Sequence, residues 1–231
     1  MAAPEQASGS DITAGGRMRF RILGFPVYVH PFFFLVAALL GGMQNDLTLI
    51  LVWVAVVFVS VLAHELGHAL VARAHGQQPS IMLYSMGGLT SFQPLRGLTH
   101  GQSIAISLAG PGAGFLVGGL VWVASQSVPP GASFVVQVAV RDLLWVNFGW
   151  GLLNLLPILP LDGGNVVRSF LHAVRRRPDE RLALLISITC GGLACLAALN
   201  YGLVWAAMIA ALITFNNYQA LSRLGWRRGA F

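Results

Sequence analysis

Charge is what this sequence has least of. Of its 231 residues only 14 are basic and 8 acidic, 10% together, where a soluble globular domain carries roughly 25%. Apolar residues make up 56% and the mean hydropathy is +0.72. So little polar surface cannot cover a water-soluble domain of this size. That excludes an ordinary cytosolic enzyme and a disordered chain. Lysine is missing altogether, since every basic residue is arginine. A net charge of +6 in this setting reads as membrane topology, and no nucleic-acid partner is expected. Cysteine is nearly absent too. Cys190 and Cys195 lie five apart in one apolar stretch, which is neither a metal-binding spacing nor a disulfide framework. They read as small core residues of a membrane helix.

What is present is a series of long apolar runs. Residues 1–16 are polar and read as a disordered tail, with no signal-peptide cleavage site after the first apolar run. Apolar segments then fall at about 25–43, 48–72, 103–126, 143–172, 182–199 and 203–221, each near the ~20 residues that span hydrocarbon. The expected fold is therefore an all-α polytopic membrane protein, with residues 17–231 as one domain of about six transmembrane helices. Pro157 and Pro160 interrupt the fourth run, so it should be kinked or partly unwound. Residues 132–140 read as its interfacial lead-in. The 27 glycines suit closely packed membrane helices.

Arginine placement orients the chain. With six spans, Arg141 alone falls on one side and the other thirteen on the opposite side. The positive-inside rule then puts both termini in the cytoplasm. The longest connection, 74–102, contains Gly87-Gly88 within a stretch from Ser80 to Phe92. It reads either as a short hairpin at the membrane edge, with the glycines at the turn, or as an irregular loop.

The second run contains His64-Glu65-Leu66-Gly67-His68. Residues four apart share one face of a helix, so both imidazoles can grip one zinc ion with Glu65 beside it as a base. Three ionisable side chains inside a membrane helix are expensive unless they pair or bind something. A catalytic zinc takes a third protein ligand. Asp162 is the only other acid within a span on the same side. His68 lies five residues from Arg73 and Asp162 six from Arg168. At ~1.5 Å per residue both sit about 7–9 Å from a cytoplasmic arginine. His30, at the start of the first span, and His172, near an arginine cluster at a helix end and expected to be solvated, are runners-up. Asn154, in the stretch Asn154-Leu-Leu-Pro157-Ile-Leu-Pro160-Leu-Asp162-Gly163-Gly164, can donate to a substrate carbonyl or its oxyanion, or satisfy carbonyls freed by Pro157.

The paired stretches His64-Glu-x-x-His68 and Asn154-x-x-Pro157-x-x-Pro160-Leu-Asp162-Gly163 resemble the site-2 protease family of intramembrane zinc metalloproteases. The resemblance implies that His64, His68 and Asp162 bind one Zn2+ per chain. It implies that Glu65 is the general base and that Asn154 helps hold the scissile peptide. The Gly87-Gly88 segment resembles the family's membrane-edge hairpin, which takes an unwound substrate as an added strand. Implied partners are the lipid bilayer and single-span membrane proteins such as tethered transcription regulators or anti-sigma factors, in a prokaryotic inner membrane. The length leaves no room for the PDZ or CBS domains of some relatives, so a compact form is expected. One departure stands out. Many members carry Gly-Pro-x-x-Asn, whereas here Gly110-Pro111-Gly112-Ala113-Gly114 ends in glycine. Two other readings use the same residues: a membrane-helix-binding pseudoprotease and a divalent-metal transporter. A metalloprotease with a downstream Glu ligand finds no suitable residue, because Glu180 lies in an arginine-rich loop.

Overall fold

A computed structural model describes residues 18–41, 46–85, 87–93, 97–129, 131–175 and 179–228. The expected tail at 1–16 lies outside these residues. The elements run β1 (Met18–Ile22), β2 (Phe25–Val29), α1 (Pro31–Gly41), α2 (Leu47–Ala74), β3 (Gln78–Tyr84), β4 (Gly87–Gln93) and α3 (His100–Ser125). Then come α4 (Phe134–Leu144), a π-helical stretch (Trp145–Trp150), α5 (Gly151–Asn154), α6 (Asp162–Arg175), α7 (Glu180–Asn200) and α8 (Val204–Arg228).

Among the described residues, three helices are long and apolar enough to cross a membrane: α2, α3 and α7. At 28 residues, α2 reaches about 42 Å, well beyond the ~30 Å hydrocarbon core. Side chains define its start and that of α3. Asp46 Oδ1 accepts the Thr48 N–H at 2.7 Å. At α3, Thr99 Oγ1 accepts the Gln102 N–H at 3.2 Å while Gln102 Oε1 accepts the Thr99 N–H at 2.9 Å, a reciprocal capping box. The two helices pack closely because Gly67 has no side chain. A Cβ there would strike the Ala109 carbonyl oxygen and sit 2.7 Å from the Ala113 Cβ, the small-residue contact expected between membrane helices.

The first apolar run differs from the expected single span. Its opening residues, Phe25–Val29, are strand, and α1 has only 11 residues, about 16 Å of helix. The reason is a period-2 pattern inside the run: Phe25, Val27 and Val29 are buried while Pro26 and Tyr28 are half-buried. β1 joins β2 through Leu23 (φ 50°) and Gly24 (φ 84°), the two positive-φ positions of a tight hairpin. Arg73, at the end of α2, donates from Nη1 to the Leu23 carbonyl at 2.8 Å and lies 4.3 Å from the Phe25 ring, so this arginine fastens the turn to α2.

The stretch Ser80–Phe92 forms the antiparallel pair β3–β4, with Tyr84 opposite Gly87. It belongs to a four-stranded sheet in the order β1-β2-β3-β4. β2 and β3 are parallel, as the crossover through α1 and α2 allows. The inner face of the sheet, with Val27, Val29, Ile81 and Leu83, joins Phe33 of α1 and Val57, Leu62 and Ala69 of α2 in one core. The sheet therefore sits against the part of α2 that carries the histidines.

The fourth run divides differently from the expected 143–172. Helix begins at Phe134, so residues 132–140 are largely the start of the helix itself, and it ends at Asn154. Helix resumes only at Asp162. Pro157 and Pro160 carry no N–H, and each disfavours helix in the residue before it. The broken segment is held by two polar side chains from α7 and α8. Ser187 Oγ of α7 accepts the Leu159 N–H at 3.0 Å, and Asn217 Nδ2 of α8 donates to the Leu159 carbonyl at 2.6 Å. Both side chains are buried. They satisfy backbone groups that apolar surroundings would otherwise orphan.

Candidate active site

α2 presents His64 and His68 on one face, and the break before α6 delivers Asp162 to them. His64 Nε2 lies 3.1 Å from Asp162 Oδ2, and His68 Nε2 lies 3.3 Å from Asp162 Oδ1. The two Nε2 atoms are 3.1 Å apart. One ligand atom from each of the three residues falls within 4.8 Å of the others, so the group can hold one metal ion. Two glycines bring Asp162 in. A Cβ on Gly163 would strike the Leu155 carbonyl, and one on Gly164 would fall 2.5 Å from Ile158 C and Leu159 N. The chain must double back on itself here, and no side chain fits inside the turn.

Two observations show that this donor set suits a metal. His68 Nδ1 lies 2.7 Å from the Ile106 carbonyl of α3. A carbonyl only accepts, so the proton sits on Nδ1 and Nε2 is left free to serve as a ligand atom; such a carbonyl is the usual outer partner of a metal-binding histidine. The Gly110 backbone of α3 also faces the imidazoles. A Cβ at Gly110 would strike His68 Nε2 and fall 2.7 Å from His64 Nε2. That volume is kept free where the ligand atoms converge. Gly110→Ala is therefore expected to weaken metal affinity about 10- to 100-fold while the chain still inserts in the membrane. Metal titration of the purified protein checks this.

Glu65 is buried and its carboxylate turns toward the sheet. Thr90 Oγ1 of β4 donates to Glu65 Oε2 at 2.6 Å and lies 3.0 Å from the Glu65 carbonyl oxygen. Gly88 lies against the same side chain: a Cβ there would sit 2.6 Å from Glu65 Cδ. Gly87, at φ 119°, faces open space. Asn154 Nδ2 lies 3.5 Å from His64 Nε2, so its amide reaches the edge of the cluster.

The runners-up lie elsewhere. The His30 N–H donates to the Leu83 carbonyl of β3 at 2.9 Å, and its Nδ1 accepts the Phe32 N–H at 3.3 Å at the start of α1, so it ties the sheet to α1. His172 was expected to be solvated, but its Nε2 is buried. Its ring stacks edge-on against His100, and Nε2 lies 3.6 Å from Glu180 Oε1. The starts of α3 and α7 flank it at the end of α6. Gly114, at the departure from Gly-Pro-x-x-Asn, faces Asn147 of the π-helical stretch: a Cβ there would be 3.4 Å from the Asn147 carbonyl oxygen and 3.8 Å from Oδ1. Asn147 Nδ2 donates to Ser60 Oγ at 2.9 Å, one helical turn before His64. An amide from another helix thus borders the position where the family's asparagine would stand.

Sequence reasoning missed Thr90, Gly110, Ser187 and Asn217. Polar residues in the apolar runs of α7 and α8 were the available signal for the last two. The alternation of β4 was the signal for Thr90, once Gly88 was placed.

A family model described as peptidase family M50 matches residues 130–199, the stretch that holds Asn154 and Asp162. The chain is 32% identical over 220 residues to a Synechocystis protein named as a candidate zinc metalloprotease, covering 84% of this chain and 57% of that one. It is 28% identical over 206 residues to a zinc metalloprotease of Methanocaldococcus jannaschii, covering 86% of this chain and 57% of that one. Among solved structures, the site-2 protease from Methanocaldococcus jannaschii superposes with a TM-score of 0.61 at 26% identity, covering 89% of this chain and 95% of that one. This chain spans a little over half the length of the two curated relatives.

Proposed function

Given that the chain belongs to the site-2 protease family of M50 peptidases, we propose that it is an intramembrane zinc metalloprotease. It hydrolyses peptide bonds within or near the transmembrane segments of other membrane proteins. The observation that carries this reading is the convergence of His64, His68 and Asp162 with the buried carboxylate of Glu65 on the same helix. These three residues would hold one Zn2+. When bound, the ion supplies Lewis acidity toward a water and a peptide carbonyl.

Glu65 is the general base. Its carboxylate takes a proton from the attacking water and returns it to the leaving amine. Asn154 Nδ2 is the donor that orients the scissile carbonyl and meets the negative charge developing on its oxygen. A transmembrane helix hides its carbonyls in internal hydrogen bonds, so the substrate must unwind before it can be cut. β4 offers a place for it. Among the described residues, the strand that holds Gly88 pairs on one side only, with β3, and an extended substrate segment can add to the other side. Gly87, with open space beside it, keeps that approach free of a side chain.

The chain crosses the bilayer six times in this reading, as one domain over residues 17–231. α1 forms part of the first crossing, α4 and α5 with the broken segment make the fourth, and α8 makes the last. Both termini and the site face the cytoplasm of a prokaryotic cell. Substrates are single-span proteins such as membrane-tethered transcription regulators or anti-sigma factors.

Co-expression with a panel of single-span proteins tests this. The expected result is discrete fragments that form in intact membranes, vanish with a zinc chelator and return with added Zn2+. Retained binding of those proteins without any fragment would replace the protease reading with that of a helix-binding protein.

A further inference from the structure

Strand alternation gives β4 two faces. Gly88 and Thr90 are half-buried while Leu89 and Ser91 are exposed, so 88 and 90 point the same way, toward α2. Both meet the same side chain. Position 88 vacates the volume that Glu65 occupies, since a Cβ there would lie 2.6 Å from Glu65 Cδ. Position 90 supplies a hydroxyl donor 2.6 Å from Glu65 Oε2. The same hydroxyl lies 3.0 Å from the Glu65 backbone carbonyl, so it gathers the end of the side chain back over its own helical turn. Oε1 lies on the glycine side and, among the described residues, accepts no hydrogen bond.

We infer that Thr90 is a positioning residue for Glu65. Its hydroxyl holds one carboxylate oxygen and leaves the other to exchange protons with the reacting groups. This rests on the assignment of Glu65 as the general base. Without the bond, a glutamate has three rotatable side-chain torsions and no fixed aim. A positioned base loses rate steeply with small displacements, on the order of 100-fold for ~1 Å. Because the donor sits on the strand proposed to pair with substrate, the strand that registers the scissile bond also registers the base. Among the described residues, the Thr90 hydroxyl bonds to Glu65 and not to His64, His68 or Asp162. Its role is therefore separable from metal binding.

The test compares Thr90→Val, which keeps the shape and removes the hydroxyl, with Thr90→Ser, which keeps the hydroxyl. Purified variants are assayed for zinc content, for kcat and KM on a cleavable single-span substrate, and in a double-variant cycle with Glu65→Gln. Thr90→Val is expected to lower kcat about 10- to 100-fold, leave KM within about twofold and retain about one zinc per chain. Thr90→Ser is expected to stay within about threefold of the parent. In the Glu65→Gln background, Thr90→Val should remove nothing further from the residual rate, because the two residues act as one unit.

A Thr90→Val protein with the parent's kcat overturns the inference. So does one that loses its zinc, one that changes only KM, or a Thr90→Ser as slow as Thr90→Val. If Glu65→Gln itself cleaves at the parent rate, the base assignment has failed instead, and the two failures are told apart in the same assay.

Discussion

Glu65→Gln is expected to stop cleavage and leave the metal in place. Glutamine matches glutamate in size, and its carbonyl oxygen can still accept from Thr90, whose hydroxyl now stands 2.6 Å from Oε2. It cannot take a proton from water at any accessible pH. Glu65 is not one of the three residues whose ligand atoms converge, so zinc content should remain about one per chain. General-base catalysis contributes roughly 10²- to 10⁴-fold, which puts the variant at or below about 1% of the parent rate. The measurement is fragment yield over time in reconstituted vesicles, with metal analysis on the same preparation. Cleavage at an undiminished rate would remove Glu65 from the chemistry. Lost zinc would make it a ligand or a structural support.

Asp162→Ala is expected to empty the site. The two Asp162 oxygens lie 3.1 and 3.3 Å from the two imidazoles, so a single substitution removes the partner of both. Two histidines four residues apart remain, one ligand short of a catalytic zinc site. Zinc content should fall from about one per chain to near zero after dialysis, and cleavage should fall with it. The apparent melting temperature of the parent should rise on adding Zn2+ in excess of its dissociation constant, since a ligand of the folded state stabilises it by RT ln(1 + [L]/Kd). The variant should show no such rise. Retained zinc and retained cleavage would mean that a different residue completes the site.

These two variants probe residues that local arithmetic could already name. The histidines stand out because a spacing of four places them on one helix face. Glu65 and Asp162 stand out because acids are so scarce that few candidates exist at membrane depth. Hydropathy likewise marks α2, α3 and α7, whose apolar content is a property of the chain alone. Where two periods overlap in one apolar run, the same reasoning loses resolution. Phe25–Val29 is as hydrophobic as the helix after it, and only its alternation separates strand from helix. The fourth run blurs for a related reason: hydropathy cannot show that helix starts at Phe134 or that seven residues before Asp162 leave it.

The broken segment also shows what no local pattern carries. Prolines announce a break, but Ser187 and Asn217 decide where Leu159 sits, from helices 28 and 58 residues further along the chain. Thr90 reaches Glu65 across 25 residues, and the Ile106 carbonyl sets the His68 tautomer across 38. Each is a hydrogen bond between groups brought together only by packing, so no window of sequence contains both partners.

Scarcity of charge, spacing and hydropathy by themselves determined a membrane chain with two histidines on one helix face, an acid beside them and a short list of third ligands headed by Asp162. Those features depend on residue type and on the geometry of a single helix. The tertiary structure decided how Asp162 reaches the imidazoles, why Gly110 and Gly88 must lack side chains, and which way the Glu65 carboxylate turns. These depend on distances between separate elements, set when α2, α3 and the sheet pack against one another.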